Sequence, residues 1–304
     1  MEAHTGELEV NYKKVPSVQE MAKKKLVTIP SRYVRDDQDR SIASSNNIQV
    51  PVVDMQRLIN ASDHDSIDLE LQKLHFAAKE WGFFQIEVCI KLVVIVELEN
   101  SNLIFGETIE EYSEEVKELS MKVLKELGKA VGIEEEEVKS VFEEGMQSMR
   151  MNYYPPCPQP ELVMGVCPHS DACALTILLQ VNQTEGLQIR KDRFGFPFYL
   201  PNAFIVNVGD AFEIFTNGIY KSIEHRSVVS SEKERISVAT FQSARLDGEL
   251  GPANSLISAF NPPLFKKMGV TEYFRGYFTR ELVGKSHVDT MRITTTEDDL
   301  KNVN

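Results

Sequence analysis

The sequence predicts an α+β protein, mainly β, with a double-stranded β-helix or jelly-roll core and helices at its N-terminus and flanks. Two observations in the second half predict the core. From Met149 onward, short β-branched and aromatic runs alternate with Pro, Gly and Asn. Turns such as Val208-Gly209-Asp210 and Asn217-Gly218 would pair those runs into two sheets whose open end can take a metal and a small ligand. A third, the helical spacing of apolar residues before Met149, predicts the flanking helices.

Taken in order, Ser17 and Glu20 form a capping box ahead of a short helix that Pro30 stops. Polar residues 36–47 lead to Ile48–Val53, a β-branched run around Pro51 suited to a strand near a sheet edge. Ile67, Leu71, Leu74 and Ala78 recur at helical spacing, Gly82 follows as C-cap, and Phe83–Ile86 reads as a buried strand. Glu87–Phe105 is an interrupted apolar run, too short and too charged to cross a membrane, and reads as a buried strand. From Thr108 an amphipathic helix runs through Tyr112, Val116, Leu119, Val123 and Leu127 to Gly132. A second helix begins near Glu134, its glutamates forming a solvated face favoured by the helix dipole. Strands are then expected at 149–154, 175–181, 186–189, 204–208, 222–229 and 236–241, with a partly exposed helical tail after Pro262. The organisation is an N-terminal region over 1–132, with 87–105 atypical and shortened, and a jelly-roll domain with its tail over 133–304.

Composition excludes several classes of function. With 304 residues, 42% hydrophobic and 26% charged, the chain can bury an ordinary core. A net charge of -13 and a pI near 5.1 repel nucleic acid and anionic membranes, so a small-molecule substrate is expected. The polar, acidic start resembles neither a secretory signal nor a transit peptide, which predicts a cytoplasmic protein; a monomer is expected. Cys89, Cys157, Cys167 and Cys173 form no Cys-x-x-Cys pair and read as reduced thiols.

The chemistry is carried by a few polar residues. In an extended strand His169 and Asp171 project to one side and can bind one metal together. His225 can supply a third ligand if its segment folds back onto the same sheet. Two imidazoles and a carboxylate on one octahedral face leave three open positions, the arrangement of non-haem Fe(II) oxygenases. Arg235 and Ser237 stand two apart in a strand-like run, so both face one side. A buried guanidinium fork with a neighbouring hydroxyl suits a carboxylate such as that of 2-oxoglutarate. The plainer reading of Arg235 is a surface ion pair with Glu232 or Glu234.

Longer motifs carry a resemblance. They are Met151-Asn-Tyr-Tyr-Pro-Pro-Cys-Pro-Gln-Pro160, Pro168-His-Ser-Asp171, Glu185-Gly-Leu-Gln-Ile189, Asn217-Gly-Ile-Tyr-Lys-Ser-Ile-Glu-His-Arg226 and Glu234-Arg-Ile-Ser-Val-Ala-Thr-Phe241. With them the chain resembles the plant 2-oxoglutarate- and Fe(II)-dependent dioxygenases, and within these the branch of codeine and thebaine O-demethylases and the dioxygenase-like norcoclaurine synthase. The resemblance implies that His169, Asp171 and His225 hold iron, that Arg235 and Ser237 hold the distal carboxylate of 2-oxoglutarate, and that Asn152 and Tyr154 belong to the co-substrate motif. It implies dioxygen as oxidant, ascorbate as reductant, and hydroxylation or O-demethylation of a plant alkaloid or phenolic. A catalytically impaired iron-binding relative and a non-oxidative condensing enzyme are the alternatives. Two departures stand out. Glu87–Phe105 replaces several dozen family residues that wall the substrate pocket, and Phe194-Gly-Phe-Pro-Phe198 replaces a polar hairpin.

Overall fold

The computed structural model describes residues 17–24, 26–35, 50–60, 63–87, 105–191, 194–197, 203–280 and 284–293. Helix α1 (Val18–Lys23) starts where the capping pattern places it, with the Ser17 side chain accepting from the Glu20 amide. After β1 (Val52–Asp54) and α2 (Met55–Asn60), α3 (His64–Phe76) runs into a wider turn over Ala77–Trp81. Gly82, at φ 61°, closes that turn in the left-handed region, which costs glycine little. Strand β2 (Phe83–Glu87) follows directly. Residues 88–104, most of the atypical segment, lie outside the described residues, as do Cys89 and residues 1–16. Two amphipathic helices come next, α4 (Phe105–Ala130) and α5 (Glu135–Phe142). Glu135 and Glu136 are exposed and pair with Lys139, as a solvated face should. Glu137 instead accepts from Ser255 Oγ at 2.6 Å, tying α5 to the later chain.

The remainder is β3 (Gln147–Tyr154), β4 (Val166–His169), β5 (Leu175–Gln180), β6 (Leu187–Lys191), β7 (Phe194–Pro197), β8 (Ala203–Val208), helix α6 (Asp210–Phe215), β9 (His225–Ser227), β10 (Arg235–Gln242), β11 (Glu249–Leu250), β12 (Met268–Gly269), α7 (Val270–Phe278) and α8 (Ser286–Asp289). One sheet has the order β1-β2-β8-β5-β10-β3 and is antiparallel except where β1 lies parallel to β2. A second, antiparallel sheet has the order β4-β9-β6-β7. This is the double-sheet jelly roll that the strand spacing predicts, decorated by helices. Two expectations change. The Gly209-Asp210 turn opens helix α6, whose six residues are all buried and show no amphipathic period. The strand expected over 222–229 shrinks to His225–Ser227. The tail is helical and partly exposed as expected, Phe278 standing in solvent while Val270, Tyr273, Val288 and Met291 are buried.

Strand alternation splits the core into two layers. Phe84 and Ile86 of β2, Leu175, Ile177 and Leu179 of β5, and Phe204, Val206 and Val208 of β8 face the helices, packing with Leu74, Val116, Leu124 and Phe142. The intervening residues Phe83, Leu178, Ile205 and Ala239 face the other sheet, meeting Leu187 and Ile189 of β6. This thinner inner layer shares its face with the polar residues described below. No helix among the described residues is long and apolar enough to cross a membrane.

Phe142 joins α5 to α6 through ring contacts with Phe212 and Phe215 at 5.9 and 5.1 Å and is fully buried. Phe142→Ala should lower stability by about 3–5 kcal/mol. A urea unfolding midpoint equal to the wild type's would show that this aromatic layer is not where the helices gain their hold.

Candidate metal centre

Two histidines face each other because β4 and β9 pair antiparallel with His169 opposite His225. Their rings stand 4.4 Å apart between centroids. In each, Nδ1 lies against a backbone carbonyl, Cys167 O at 2.7 Å for His169 and Ile223 O at 3.1 Å for His225. A carbonyl can only accept, so Nδ1 carries the proton and Nε2 keeps its lone pair for a metal.

Asp171 reaches the same point from a different backbone state than its motif suggests. Strand β4 ends at His169, and Asp171 lies beyond it in the turn toward β5. Its Oδ1 stands 3.4 Å from His169 Nε2 and its Oδ2 3.7 Å from His225 Nε2. All three ligand atoms lie within 4.8 Å of one another. These separations exceed those of a charge-assisted hydrogen bond. They approach the ~3 Å expected between neighbouring ligands about 2.1 Å from one ion. Asp171 Oδ2 also accepts from Thr176 Oγ1 at 2.6 Å and Asn207 Nδ2 at 2.9 Å. Thr176 and Asn207 are cross-strand partners on β5 and β8, so one rung of the sheet aims the carboxylate. The residues fit a divalent ion with a facial His, Asp, His set.

The electrostatics agree at Asp171 and His225. Burial pushes the Asp171 carboxyl up, but the neighbouring His225 and His169 rings and the hydrogen bond from Thr176 outweigh it and hold the group well below the usual carboxylate range. Burial lowers His225 and wins there, favouring the neutral ring that a metal requires. For His169, burial is overcome by Asp171 and the net direction is upward. Close by, burial lifts Asp210 to about 7.

The second cluster is set by register. Strand β10 places Arg235 opposite Tyr154 and Ser237 opposite Asn152 on β3. Paired residues share a face, so the four residues singled out in the sequence come together. Arg235 is 2% exposed. Its Nη1 donates to Ser237 Oγ at 3.4 Å, its Nη2 to Gln180 Oε1 at 3.2 Å, and its guanidinium lies 5.4 Å from the Tyr154 ring centroid. Its Nε has no partner although buried. The surface ion pair with Glu232 or Glu234 is not formed among the described residues, and Glu234 accepts from the Tyr153 hydroxyl instead. A buried cation with an orphaned donor is matched to an anion. Gly186 makes room for it, since a Cβ there would lie 2.6 Å from Arg235 Cδ and 2.9 Å from Val228 O.

Comparison with known proteins decides the class. The family model described as the 2OG-Fe(II) oxygenase superfamily matches residues 145–244. The chain is 40% identical to the oxoglutarate-dependent flavonoid 7-O-demethylase 1 of Ocimum basilicum, over 92% of this chain and 91% of that protein. The chain belongs to the 2OG-Fe(II) oxygenase superfamily. The oxygenase is also 40% identical to codeine O-demethylase of Papaver somniferum, over 92% of this chain and 96% of that one. Among solved structures it resembles JOX2 in complex with 2OG, Fe and JA, with a TM-score of 0.81 at 28% identity over 93% of this chain and 99% of that one. The alignment with the basil enzyme runs over 342 positions, more than the 304 residues present, so that enzyme has positions this oxygenase lacks.

All seven residues expected from the sequence fall into the two clusters. Sequence reasoning missed Thr176, Asn207 and Gln180, which orient Asp171 and Arg235. Each interrupts an apolar strand at a position facing away from the helices, a pattern that by itself does not separate a support from any tolerated hydrogen-bonding residue. Asn207→Ala should weaken Fe(II) binding about 10- to 100-fold, in line with other loss of ligand support. His225→Ala should abolish stoichiometric binding with the fold intact. Anaerobic titration monitored beside circular dichroism checks both, and full iron loading of His225→Ala would mean that the third ligand lies elsewhere.

Proposed function

We propose that this oxygenase hydroxylates or O-demethylates a small plant specialised metabolite, an alkaloid or phenolic, with His169, Asp171 and His225 as iron ligands. Arg235 and Ser237 hold the distal carboxylate of 2-oxoglutarate, and Asn152 and Tyr154 line the same pocket. The observation that carries this reading is the orphaned Nε of buried Arg235, in register with Tyr154 and beside Ser237. Iron bound here supplies, with 2-oxoglutarate and dioxygen, the oxidising power that replaces a substrate C–H by C–OH while the co-substrate leaves as succinate and carbon dioxide.

The chain's own residues do the rest. The Nδ1 hydrogen bonds hold both imidazoles with Nε2 free, and Thr176 and Asn207 keep Asp171 ionised and aimed. Arg235, clamped by Gln180 and Ser237, fixes the far end of the co-substrate and so the orientation of its keto acid end. A mainly apolar cavity of about 650 Å³ adjoins this pocket. Asn152 and Tyr154 stand on one side of it, with Met21, Leu26, Ile29 and Tyr33 among the apolar residues of its wall. No metal ligand lines it. If the attacked carbon is an O-methyl group, hydroxylation gives a hemiacetal that breaks down to formaldehyde and the free hydroxyl. The flavonoid and codeine demethylases among the relatives favour this oxidative outcome over the non-oxidative condensation of a norcoclaurine synthase.

The positions missing relative to the basil enzyme favour a second reading, an oxygenase that binds iron and 2-oxoglutarate but couples poorly to substrate. Anaerobic addition of Fe(II) and 2-oxoglutarate should produce a metal-to-ligand charge-transfer band. Arg235→Leu should lower 2-oxoglutarate affinity at least about tenfold through loss of charge-assisted hydrogen bonds, with Fe(II) affinity unchanged. No band with well-folded wild-type protein would overturn the co-substrate assignment. Formaldehyde and succinate released in equal amounts with methoxylated phenolics or alkaloids would identify the demethylase. Succinate released without substrate turnover would identify the uncoupled form.

A further inference from the structure

Glu213 carries a fully buried carboxylate outside the metal and co-substrate clusters. It sits on α6, and two stretches of chain converge on it, one at Ser222 and one carrying both Lys285 and Arg292. Oε2 accepts from Lys285 Nζ at 2.6 Å and from the Ser222 amide at 2.8 Å. Oε1 accepts from Arg292 Nη2 at 2.8 Å. Arg292 is further held by Asp289 at 3.0 Å and lies over the Phe265 ring at 4.8 Å.

The stretches at Lys285 and Ser222 each lead to a candidate metal ligand. Lys285 follows Gly284, whose backbone bridges the strand that ends in His169. The Gly284 amide donates to Pro168 O and the Ser170 amide donates to Gly284 O, both at 3.2 Å. His169 is therefore bracketed on both sides by one residue of the C-terminal segment. Ser222 begins the short approach to His225, and its amide is fixed by the same carboxylate. Helix α6 itself starts at Asp210, whose amide donates to Asp171 O at 2.7 Å and whose Oδ2 accepts from Ser170 Oγ at 3.0 Å. From α7, the Tyr273 hydroxyl adds a hydrogen bond to Ala172 O at 3.0 Å.

We infer that Glu213 is a positioning residue for the metal: by holding Lys285, Arg292 and the Ser222 amide at one point, it sets the separation and aim of His169 and His225. This rests on the assignment of those histidines as iron ligands. A strap tied only by backbone hydrogen bonds at its end would fray, whereas two cations on one desolvated carboxylate hold it. Neither cation can be neutralised cheaply, because removing one partner of a buried pair leaves the other uncompensated.

The test compares wild type, Glu213→Gln, Lys285→Met and Lys285→Arg by anaerobic Fe(II) titration and by the visible d–d spectrum of the Co(II)-substituted proteins. Glu213→Gln keeps shape and loses charge, so the expected result is Fe(II) affinity reduced about 10- to 100-fold, the range seen for support of metal ligands. The Co(II) bands should shift at saturating metal. Lys285→Met should move both readouts in the same direction by a smaller factor, and Lys285→Arg should restore them. A merely stabilising ion cluster would lower the melting temperature and leave the Co(II) spectrum of the folded protein unaltered, which would overturn the proposal. If Glu213→Gln does not fold, the Lys285 pair decides, since that side chain is partly exposed: wild-type affinity and spectrum in Lys285→Met would overturn the proposal as well. Failure of the wild type to bind Fe(II) or Co(II) would instead count against the ligand assignment itself.

Discussion

The buried charge of Asp171 is the constraint around which the rest is arranged. An ionised carboxylate removed from water costs several kcal/mol unless its lone pairs are met. Here they are met by Thr176 and Asn207 from one rung of the larger sheet, with two imidazoles of the smaller sheet standing 3.4 and 3.7 Å away. The two sheets must therefore close over this point in a fixed register. A slip of one residue in β5 or β8 would turn Thr176 or Asn207 toward the helices and leave the carboxylate without a donor. The same alternation that sends Leu175, Ile177 and Leu179 into the helical layer keeps the polar residues on the inner face, so core packing and site geometry are one requirement.

Much of this could be read in the sequence because alternation in strands is a local property. Arg235 and Ser237 show their common face from spacing alone, and the register with Tyr154 and Asn152 adds only which strand they meet. Gly82 announces the end of a helix because a left-handed residue at that place favours glycine. What was not legible depends on tertiary context. Helix α6 is six residues, buried on every side, and carries no periodic signal. Asp171 lies past its strand, so the rule that places i and i+2 on one face gave the right partners for an incomplete reason. Thr176, Asn207 and Gln180 are single polar residues in apolar runs, and nothing local distinguishes a ligand support from a tolerated hydrogen-bonding residue. The convergence of Lys285, Arg292 and Ser222 on Glu213 joins residues far apart in the chain, which no window of sequence reports.

The two clusters differ in how they use burial. At the candidate metal centre, the Asp171 carboxylate is hydrogen-bonded by Thr176 and Asn207, groups that stay in place when a metal binds. At Arg235 the balance is incomplete, because Gln180 and Ser237 are neutral and Nε has no partner. One site is pre-formed and the other is left with an unmet demand for an anion. That division suits a resident ion and a co-substrate that must enter and leave in every cycle.

Gly186 ties the freedom of one position to that of another. Its missing side chain is the space through which the Arg235 stem passes, so the two residues cannot drift independently over generations. Any larger residue at 186 meets the Arg235 stem and the Val228 carbonyl at once. The smallest and one of the longest side chains in the fold are thus packed as one unit, and loss of the guanidinium would relieve only half of the constraint on Gly186, because the carbonyl of Val228 stays where it is.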